Sequence, residues 1–331
     1  MTNIAIASIC NRSCDYCFAQ PVGVGEALSS HFMTRAIFEQ ALDFVERSGI
    51  DDIRLLGGEP TLHPEFVGLL ELALERGKPI RVFSNGVMPE SVLRFVETIP
   101  ATKISFLINL SASLGEPVAH EAVKTVLGRL GERATLGVNI SRPWSRLAPP
   151  GTSDDIGYVL DLVDQHRLER NMRIGLAHPC VDFENAYLHP NQYPPAGHKV
   201  LDLARRAVQR SIRLSLDCGF VPCMAPELLD TAFGETSRQV CGNCGPVLDI
   251  LPDGRVIPCF PLASVVSARL EDFENAAVMR AHFENRLAGY RELGVGKACA
   301  DCDFRKQRAC TGGCIASAMK RLTTPSFQLR M

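Results

Sequence analysis

Apolar stretches alternate with amphipathic stretches along the first two thirds of the chain, and this rhythm predicts the fold. Residues 2–9 (TNIAIASI) form a short apolar run typical of a buried strand. The next segment begins at Thr34, a helix N-cap residue, and places apolar side chains at helical spacing through Arg47. The pattern predicts further strands over 53–56, 80–83, 103–110, 136–140 and 172–176, and further helices over 65–76, 89–96, 118–130, 154–166 and 198–209.

Strands that alternate with helices in this way indicate parallel strands joined by crossover helices. Six such units predict an α/β chain with a partial (β/α)6 TIM-like barrel over residues 1–215. Because active sites of such barrels lie at the carboxyl ends of the strands, residues that follow strands are expected to carry the chemistry. The loops 141–151 and 177–197 both follow strands, so each is either a cover for the active site or an ordinary connection.

Composition describes an ordinary globular protein with one exception. Hydrophobic residues make up 46% and charged residues 22% of the 331, and the net charge of −2 provides no basic field for nucleic acid or an anionic membrane. No apolar run reaches the roughly 18 residues of a membrane span. No secretory signal is visible, so a cytoplasmic protein is expected. The exception is the set of thirteen cysteines, which a reducing compartment keeps out of disulfides.

The cysteines fall into two regions. Cys10, Cys14 and Cys17 follow the first predicted strand, and the long stretch from there to Cys180 contains none. Nine more lie after residue 217. Residues 216–331 are therefore predicted to form a small cysteine-rich α+β domain after the barrel.

Three thiols in one short loop favour a soft metal. Structural zinc sites and closed [4Fe–4S] clusters each take four protein ligands. Three cysteines would therefore leave one iron of a [4Fe–4S] cluster open to another molecule. Zinc with a remote fourth ligand, or three thiols without a metal, are the alternatives.

The spacing of Cys10, Cys14 and Cys17, with Tyr16 before the last cysteine, resembles the signature of the radical S-adenosylmethionine (SAM) superfamily. The segment from Gly57 to Pro60 (GGEP) resembles the motif after the second strand of that family. The resemblance implies that the open iron chelates SAM. It also implies SAM contacts at Gly57, Gly58, Glu59 and Pro60, and at Ser84, Asn85, Asn109, Ser111 and Asn139, for which strand-end capping is the alternative.

The C-terminal cysteines, with a hairpin turn at Pro252-Asp253-Gly254, resemble the SPASM auxiliary-cluster domain. The resemblance implies two auxiliary [4Fe–4S] clusters, the first bound by Cys241, Cys244, Cys259 and Cys314, the second by Cys299, Cys302 and Cys310. The family's last cysteine has no counterpart, and the spacing between Cys302 and Cys310 is longer than usual. The second cluster would therefore have an open iron, a non-cysteine ligand, or Cys218 or Cys223 as its fourth ligand. A single cluster of the reduced twitch type, or two zinc ribbons, are the alternatives.

The resemblance implies an oxidoreductase-type enzyme that reductively cleaves SAM to a 5′-deoxyadenosyl radical, which takes hydrogen from a substrate. A flavodoxin or ferredoxin would supply the electron. Cys180, after the sixth strand, is a speculative hydrogen donor or an ordinary buried thiol.

The substrate expected from the resemblance is a peptide, matured by crosslinking, oxidation or epimerisation. Because Cys10 lies so near the start, a separate protein is expected to bind the peptide's leader. The alternative is a dehydrogenase, epimerase or sulfur-inserting enzyme that acts on a sugar, aminoglycoside or nucleoside in natural-product biosynthesis. A non-catalytic iron–sulfur electron carrier or zinc scaffold is the alternative from another class.

Overall fold

A computed structural model describes residues 2–19, 30–141, 147–229 and 242–323. The strands of this part of the chain are β1 (Asn3–Ala7), β2 (Ile53–Gly57), β3 (Ile80–Ser84), β4 (Ile104–Asn109), β5 (Ala134–Ile140), β6 (Asn171–Leu176), β7 (Arg213–Leu216), β8 (Asp249–Ile250), β9 (Arg255–Ile257) and β10 (Ala268–Arg269). The α-helices are α1 (Arg35–Arg47), α2 (Phe66–Glu75), α3 (Glu90–Thr98), α4 (Pro117–Leu130), α5 (Asp155–Gln165), α6 (Tyr193–Gln209), α7 (Ala276–Arg291), α8 (Asp303–Lys306) and α9 (Ile315–Thr323). Within the described ranges, no helix is long and apolar enough to cross a membrane.

The ten strands form one sheet in the order β10-β9-β8-β1-β2-β3-β4-β5-β6-β7. Neighbours from β1 to β7 are parallel, and β8 pairs with β1 in parallel on its other side. The hairpin of β8 and β9 and the pair of β9 and β10 are antiparallel. The fold is therefore a mixed α/β sheet with mostly parallel strands, and strands from the C-terminal part extend it beyond β1.

The predicted rhythm of strands and helices is present, with two differences. β7 is a seventh parallel strand that the periodicity did not predict, because it has four residues and two of them are polar. It spans the predicted domain boundary at residue 215, and the boundary itself stays a prediction. Helix α6 begins at Tyr193 rather than at residue 198, because Pro194 and Pro195 lie in its first turn, where a missing N–H costs nothing.

Both faces of β1 are covered, so all five of its residues are buried. Ile4 and Ile6 belong to the main core, which also contains Phe38 and Phe44 of α1. Ala5, on the opposite face, packs with a separate cluster formed by Leu251, Ile257 and Phe260 of the hairpin region. β1 is therefore held between α1 on one face and the C-terminal hairpin region on the other.

Candidate active site

The loop that carries the N-terminal cysteines, residues 8–19, leaves the carboxyl end of β1 and meets the loop after β2. Gly58 N donates to Ala7 O at 2.8 Å, and Glu59 N donates to Ile9 O at 2.8 Å. Within the cysteine loop, Cys17 N donates to Cys14 O at 3.1 Å and closes a turn. The two motifs singled out in the sequence are thus joined through their backbones.

Gly57 and Gly58 are required by this close approach. A methyl group on Gly57 would lie 2.0 Å from Ala7 O, and one on Gly58 would lie 2.2 Å from Ile9 O and 3.0 Å from Cys10 N. Gly57 also has a φ of 152°, which favours glycine. The glycines therefore allow the loop after β2 to contact the chain's own cysteine loop.

The Glu59 carboxylate is fully buried and joins the ends of β2 and β3. It accepts hydrogen bonds from Thr61 N at 3.2 Å, Thr61 Oγ1 at 2.6 Å, Ser84 Oγ at 3.0 and 3.1 Å, and Asn85 N at 2.8 Å. Burial raises the pKa of Glu59, although these donors oppose the shift. Glu59 therefore fastens the loop after β2 to the loop after β3, and its direct contact with SAM stays a prediction.

Asn85, which follows β3, connects that strand to the cysteine loop. Its Nδ2 lies 3.5 Å from Cys10 Sγ and donates to Asn11 Oδ1 at 2.8 Å. Its Oδ1 accepts from Val87 N at 2.8 Å, and Asn11 Nδ2 donates to Val87 O at the same distance. The sequence reasoning identified Asn85 but missed Asn11, whose position beside Cys10 was the available signal.

The cysteine loop also contacts the end of β4. Asn109 Nδ2 lies 3.4 Å from Tyr16 Oη, while Asn109 Oδ1 is buried and has no hydrogen-bond partner among the described residues. Arg12, which the sequence reasoning missed, donates to Ala112 O at 3.0 and 2.8 Å and pairs with Glu116 at 2.6 Å. An unsatisfied buried acceptor is costly, so Asn109 Oδ1 fits a bound ligand that supplies a donor.

Ser111 and Asn139 lie together one strand further along the sheet. Ser111 Oγ accepts from Asn139 N at 2.9 Å. The Asn139 Oδ1 atom lies over Gly175, where a methyl group would approach it to 2.3 Å. Both residues are therefore near the carboxyl ends of β4, β5 and β6, as their place after strands predicted, and their contact with SAM stays a prediction.

The three N-terminal cysteines lie in one loop, and their thiols interact electrostatically. Cys17 acts on both Cys10 and Cys14, Cys10 also acts on Cys14, and Tyr16 forms a hydrogen bond with Cys14. Burial is the main reason why the pKa of Cys14 rises to about 11, and the neighbouring thiols add to the rise. Three neighbouring thiols in one loop are the donor set that a [4Fe–4S] cluster with one open iron requires, so the chemistry of these residues fits that group.

The loop after β6 lies against the cysteine loop. Asn185 Nδ2 donates to Tyr16 O at 3.1 Å, and Ala186 N donates to Asp15 O at 2.9 Å. Cys180 is 2% exposed, and its sulfur lies 3.5 Å from Phe18 O. Burial raises the pKa of Cys180 to about 12, so the thiol keeps its proton at neutral pH. Of the loop 141–151, residues 142–146 lie outside the described part of the chain.

The first set of C-terminal thiols converges as well. Cys244 and Cys259 pack against a small cluster that contains buried Cys314. Cys244 donates a hydrogen bond to Cys314, which lowers the pKa of the Cys314 thiol to about 7, and both thiols interact electrostatically with Cys259. Cys241, the predicted fourth member, lies outside the described residues.

Beside this set lie buried His178 and the ion pair of Asp217 and Arg173, which the sequence reasoning missed. His178 Nε2 lies 3.6 Å from Cys218 Sγ, and Asp217 pairs with Arg173 at 2.7 Å. Burial alone would lower the pKa of His178, but Cys218 and Asp217 outweigh it and raise the pKa to about 9. Cys218 also interacts with Cys314 and Cys259, so it adjoins the first set.

The second set contains Cys299, Cys302 and Cys310, whose thiols interact electrostatically. None of the twelve described cysteines forms a disulfide. In the same described ranges, no three His, Cys, Asp or Glu side chains are placed to share a single metal ion.

Comparison with known families identifies the N-terminal part of the chain. Residues 4–112 match the model of the radical SAM superfamily, so the chain contains a radical SAM domain. The match includes the cysteine loop, the loop after β2 and the ends of β3 and β4. The radical SAM assignment made from the two sequence motifs is therefore confirmed over these residues, and the bounds 1–215 stay a prediction.

The proteins similar to this chain include two curated relatives and one solved structure. An S-adenosylmethionine-dependent nucleotide dehydratase of Selenomonas ruminantium is 31% identical over 90 residues, which are 25% of this chain and 29% of that protein, so the match spans less than a third of the relative. A PqqA peptide cyclase of Ruegeria pomeroyi is 22% identical over 329 residues, covering 96% of this chain and 82% of the relative. Streptococcus suis SuiB, solved with the precursor peptide SuiA, has a TM-score of 0.65 at 14% identity and covers 95% of this chain and 71% of its own. That likeness shows the fold.

Proposed function

We propose that this radical SAM enzyme reductively cleaves SAM and uses the resulting 5′-deoxyadenosyl radical to take a hydrogen atom from a substrate. The observation that supports the proposal is the cysteine loop, which carries three thiols and is hydrogen-bonded to residues at the ends of β2, β3 and β4. A cluster bound there would supply one electron to SAM. Flavodoxin or ferredoxin is the proposed source of that electron.

The chain's own residues bind and orient SAM in this proposal. Asn109 Oδ1 is a buried acceptor without a donor among the described residues, and a ribose hydroxyl of SAM would donate a hydrogen bond to it. The backbone of Gly57 lies against Ala7 and that of Gly58 against Ile9 and Cys10, because neither glycine has a side chain to prevent the approach. Glu59 and Asn85 hold the loops after β2 and β3 in place, so the SAM contacts are set before the ligand arrives.

The binding of SAM at the cysteine loop has a spectroscopic test. The iron-loaded chain is reduced with dithionite, and EPR spectra are recorded with and without SAM. SAM is expected to change the spectrum of the unaltered chain, because it binds the open iron. The control is a chain with Cys10, Cys14 and Cys17 replaced by alanine, whose spectrum should not respond. A response in that control would refute the assignment of the SAM site.

A peptide is the proposed substrate class. The PqqA peptide cyclase aligns with nearly the whole chain, and the fold is shared with SuiB, which was solved with its precursor peptide. The proposed outcome is crosslinking, oxidation or epimerisation, and a separate protein would bind the leader of the precursor. Cys180, buried and protonated behind the cysteine loop, is proposed as a hydrogen donor for the epimerisation case.

A nucleotide is a second candidate substrate, favoured by the match to the nucleotide dehydratase over the N-terminal part. The two classes are separated by measuring 5′-deoxyadenosine formed per chain, first with peptides encoded beside the gene and then with a panel of nucleotides. Stimulation by a peptide, with a mass change in that peptide, supports the peptide proposal. Stimulation by nucleotides alone rejects it.

We also propose that the C-terminal thiols bind auxiliary [4Fe–4S] clusters of a SPASM-type domain. Cys244, Cys259 and Cys314 already face one another and, with Cys241, would bind the first. Cys299, Cys302 and Cys310 would bind the second. Iron and sulfide measured per chain, before and after replacement of the N-terminal cysteines, test this directly, because the auxiliary iron should remain.

A further inference from the structure

A turn in the C-terminal part of the chain presents Cys223 to the second set of cysteines. Met224 N donates to Val221 O at 2.9 Å and closes the turn. Phe220, Val221 and Met224 are almost fully buried, whereas Cys223 is exposed. The turn is therefore anchored by its apolar residues, and the thiol stands at its outer surface.

The same turn packs against the segments that carry the other cysteines. A methyl group on Gly313 would lie 2.9 Å from a Val221 methyl and 2.8 Å from a Val295 methyl. Phe220 O accepts from Gly242 N at 2.6 Å, and Gly242 O accepts from Thr311 N at 2.7 Å. Residues 220–224 are therefore held beside residues 294–295 and 310–313.

Those segments also bring the three C-terminal cysteines of the set together. Val295 N donates to Gly312 O at 2.9 Å, and Gly312 N lies 3.3 Å from Cys310 Sγ. Cys299 Sγ would be 2.8 Å from a methyl group on the adjacent Gly294. Cys302 is the N-cap residue of α8, and Cys310 N donates a hydrogen bond to Phe304 O of that helix at 3.2 Å.

We propose that Cys223 is the fourth thiolate of this site and that, with Cys299, Cys302 and Cys310, it completes a four-cysteine [4Fe–4S] centre. Cys223 interacts electrostatically with all three of these thiols. Cys218, the other cysteine considered as the fourth ligand, instead contacts His178 and interacts with Cys314 and Cys259 of the first set. In this proposal Cys223 takes the place of the family's missing last cysteine, although it comes before the other three ligands in the sequence.

The surroundings suit an anionic cluster. Arg305 Nη1 lies 3.3 Å from Cys299 O and 3.1 Å from Glu292 O, so its guanidinium is held beside the site. Four thiolates and a [4Fe–4S] core carry net negative charge, which a fixed guanidinium stabilises. The inference rests on the proposed auxiliary clusters but not on SAM cleavage.

The test uses the full chain with Cys10, Cys14 and Cys17 replaced by alanine, so that all cluster iron is auxiliary. Into this background Cys223→Ser and, as the matched control, Cys218→Ser are introduced. After mild oxidation, Cys223→Ser is expected to lose one iron of its second cluster and to show the EPR signal of a three-iron cluster, because a three-thiolate site holds its fourth iron weakly. Cys218→Ser is expected to show no such loss. Equal behaviour of the two variants, or loss in Cys218→Ser alone, would overturn the proposal.

A second measurement needs no variant. The iron-loaded chain and a chelator-stripped sample are alkylated with iodoacetamide, and the peptide containing Cys223 is quantified by mass spectrometry. Cys223 is exposed, so it is expected to react in the stripped sample and to be protected in the loaded one. Equal alkylation, or protection that accompanies zinc rather than iron, contradicts the assignment. Since SAM plays no part in either measurement, a failure here is distinguishable from a failure of the proposed catalytic function.

Discussion

The Nδ2 atom of Asn85 lies 3.5 Å from the sulfur of Cys10, so a residue after the third strand contacts the first cysteine of the loop after the first strand. The same amide bonds Asn11 at 2.8 Å. The strand order places β2 between the two strands concerned. The contact therefore spans the sheet edge at which the candidate active site is built.

Replacing Asn85 with alanine is expected to loosen the cysteine loop. The change removes the hydrogen bonds to half-buried Val87 N and to Asn11 Oδ1 of an exposed residue, which costs about 0.5–1.5 kcal/mol for each lost bond. The free energy of unfolding in urea should fall, and iron bound by the N-terminal cysteines should be lost first. Asn191→Ala, at an exposed asparagine, is the matched control and should change neither quantity. An unchanged iron content in Asn85→Ala would argue against a positioning role.

Glu59→Gln is expected to destabilise the junction of β2 and β3. A glutamine presents an NH₂ group where the carboxylate now receives only donors, from Thr61, Ser84 and Asn85. The loss of charge-assisted hydrogen bonds at a fully buried site should lower the free energy of unfolding by about 2–3 kcal/mol. Glu71→Gln, at an exposed position of α2, should be silent in the same urea titration. Equal stabilities of the two variants would contradict the account of Glu59.

Two glycine-to-alanine substitutions should have opposite effects. At Gly58 the new methyl would lie 2.2 Å from Ile9 O, so the backbone has to move. The free energy of unfolding should therefore fall by about 1–3 kcal/mol. At Gly68, in the first turn of α2, a new methyl would meet no atom outside the local helix backbone within 4 Å, and alanine should raise stability by about 0.5–1 kcal/mol through helix propensity. Thermal unfolding of both variants measures the difference. A tolerated Gly58→Ala would show that the close approach is unnecessary.

Stability should depend on pH through Asp249. This side chain is 3% exposed and receives a hydrogen bond from Asn3 at 2.7 Å, and burial raises its pKa from 3.8 to about 7. Because the folded state then binds the proton more tightly than the unfolded state, this group lowers stability as the pH rises from about 4 to 7. Above pH 7, this rise in pKa corresponds to a loss of about 4 kcal/mol in the free energy of unfolding.

Asp249→Asn removes the charge, and the Asn3 amide can rotate so that the two side-chain amides still form a hydrogen bond. The variant should therefore be more stable than the unaltered chain at pH 8 and nearly equal to it at pH 4, as measured by urea unfolding at both values. Asp272→Asn, at an exposed position, should leave the pH profile unchanged. A profile of Asp249→Asn that matches the unaltered chain would exclude the effect.

The sequence predicts the main sheet well because strand and helix periods repeat from β1 to β6, and parallel strands bring Ser84, Asn109 and Asn139 to one edge by necessity. It does not predict β7, whose four residues carry too little pattern. Nor does it decide between Cys218 and Cys223. That choice depends on the contact between the turn at 220–224 and residues 294–313, and residue spacing carries no information about contacts between segments so far apart.

The most direct test of the central proposal is the amount of 5′-deoxyadenosine formed under anaerobic conditions from SAM and dithionite by the iron-loaded chain. The account predicts that the unaltered chain forms it and that the chain with Cys10, Cys14 and Cys17 replaced by alanine does not, although its auxiliary iron remains. No 5′-deoxyadenosine from a fully loaded chain, or equal amounts from both, would contradict the account.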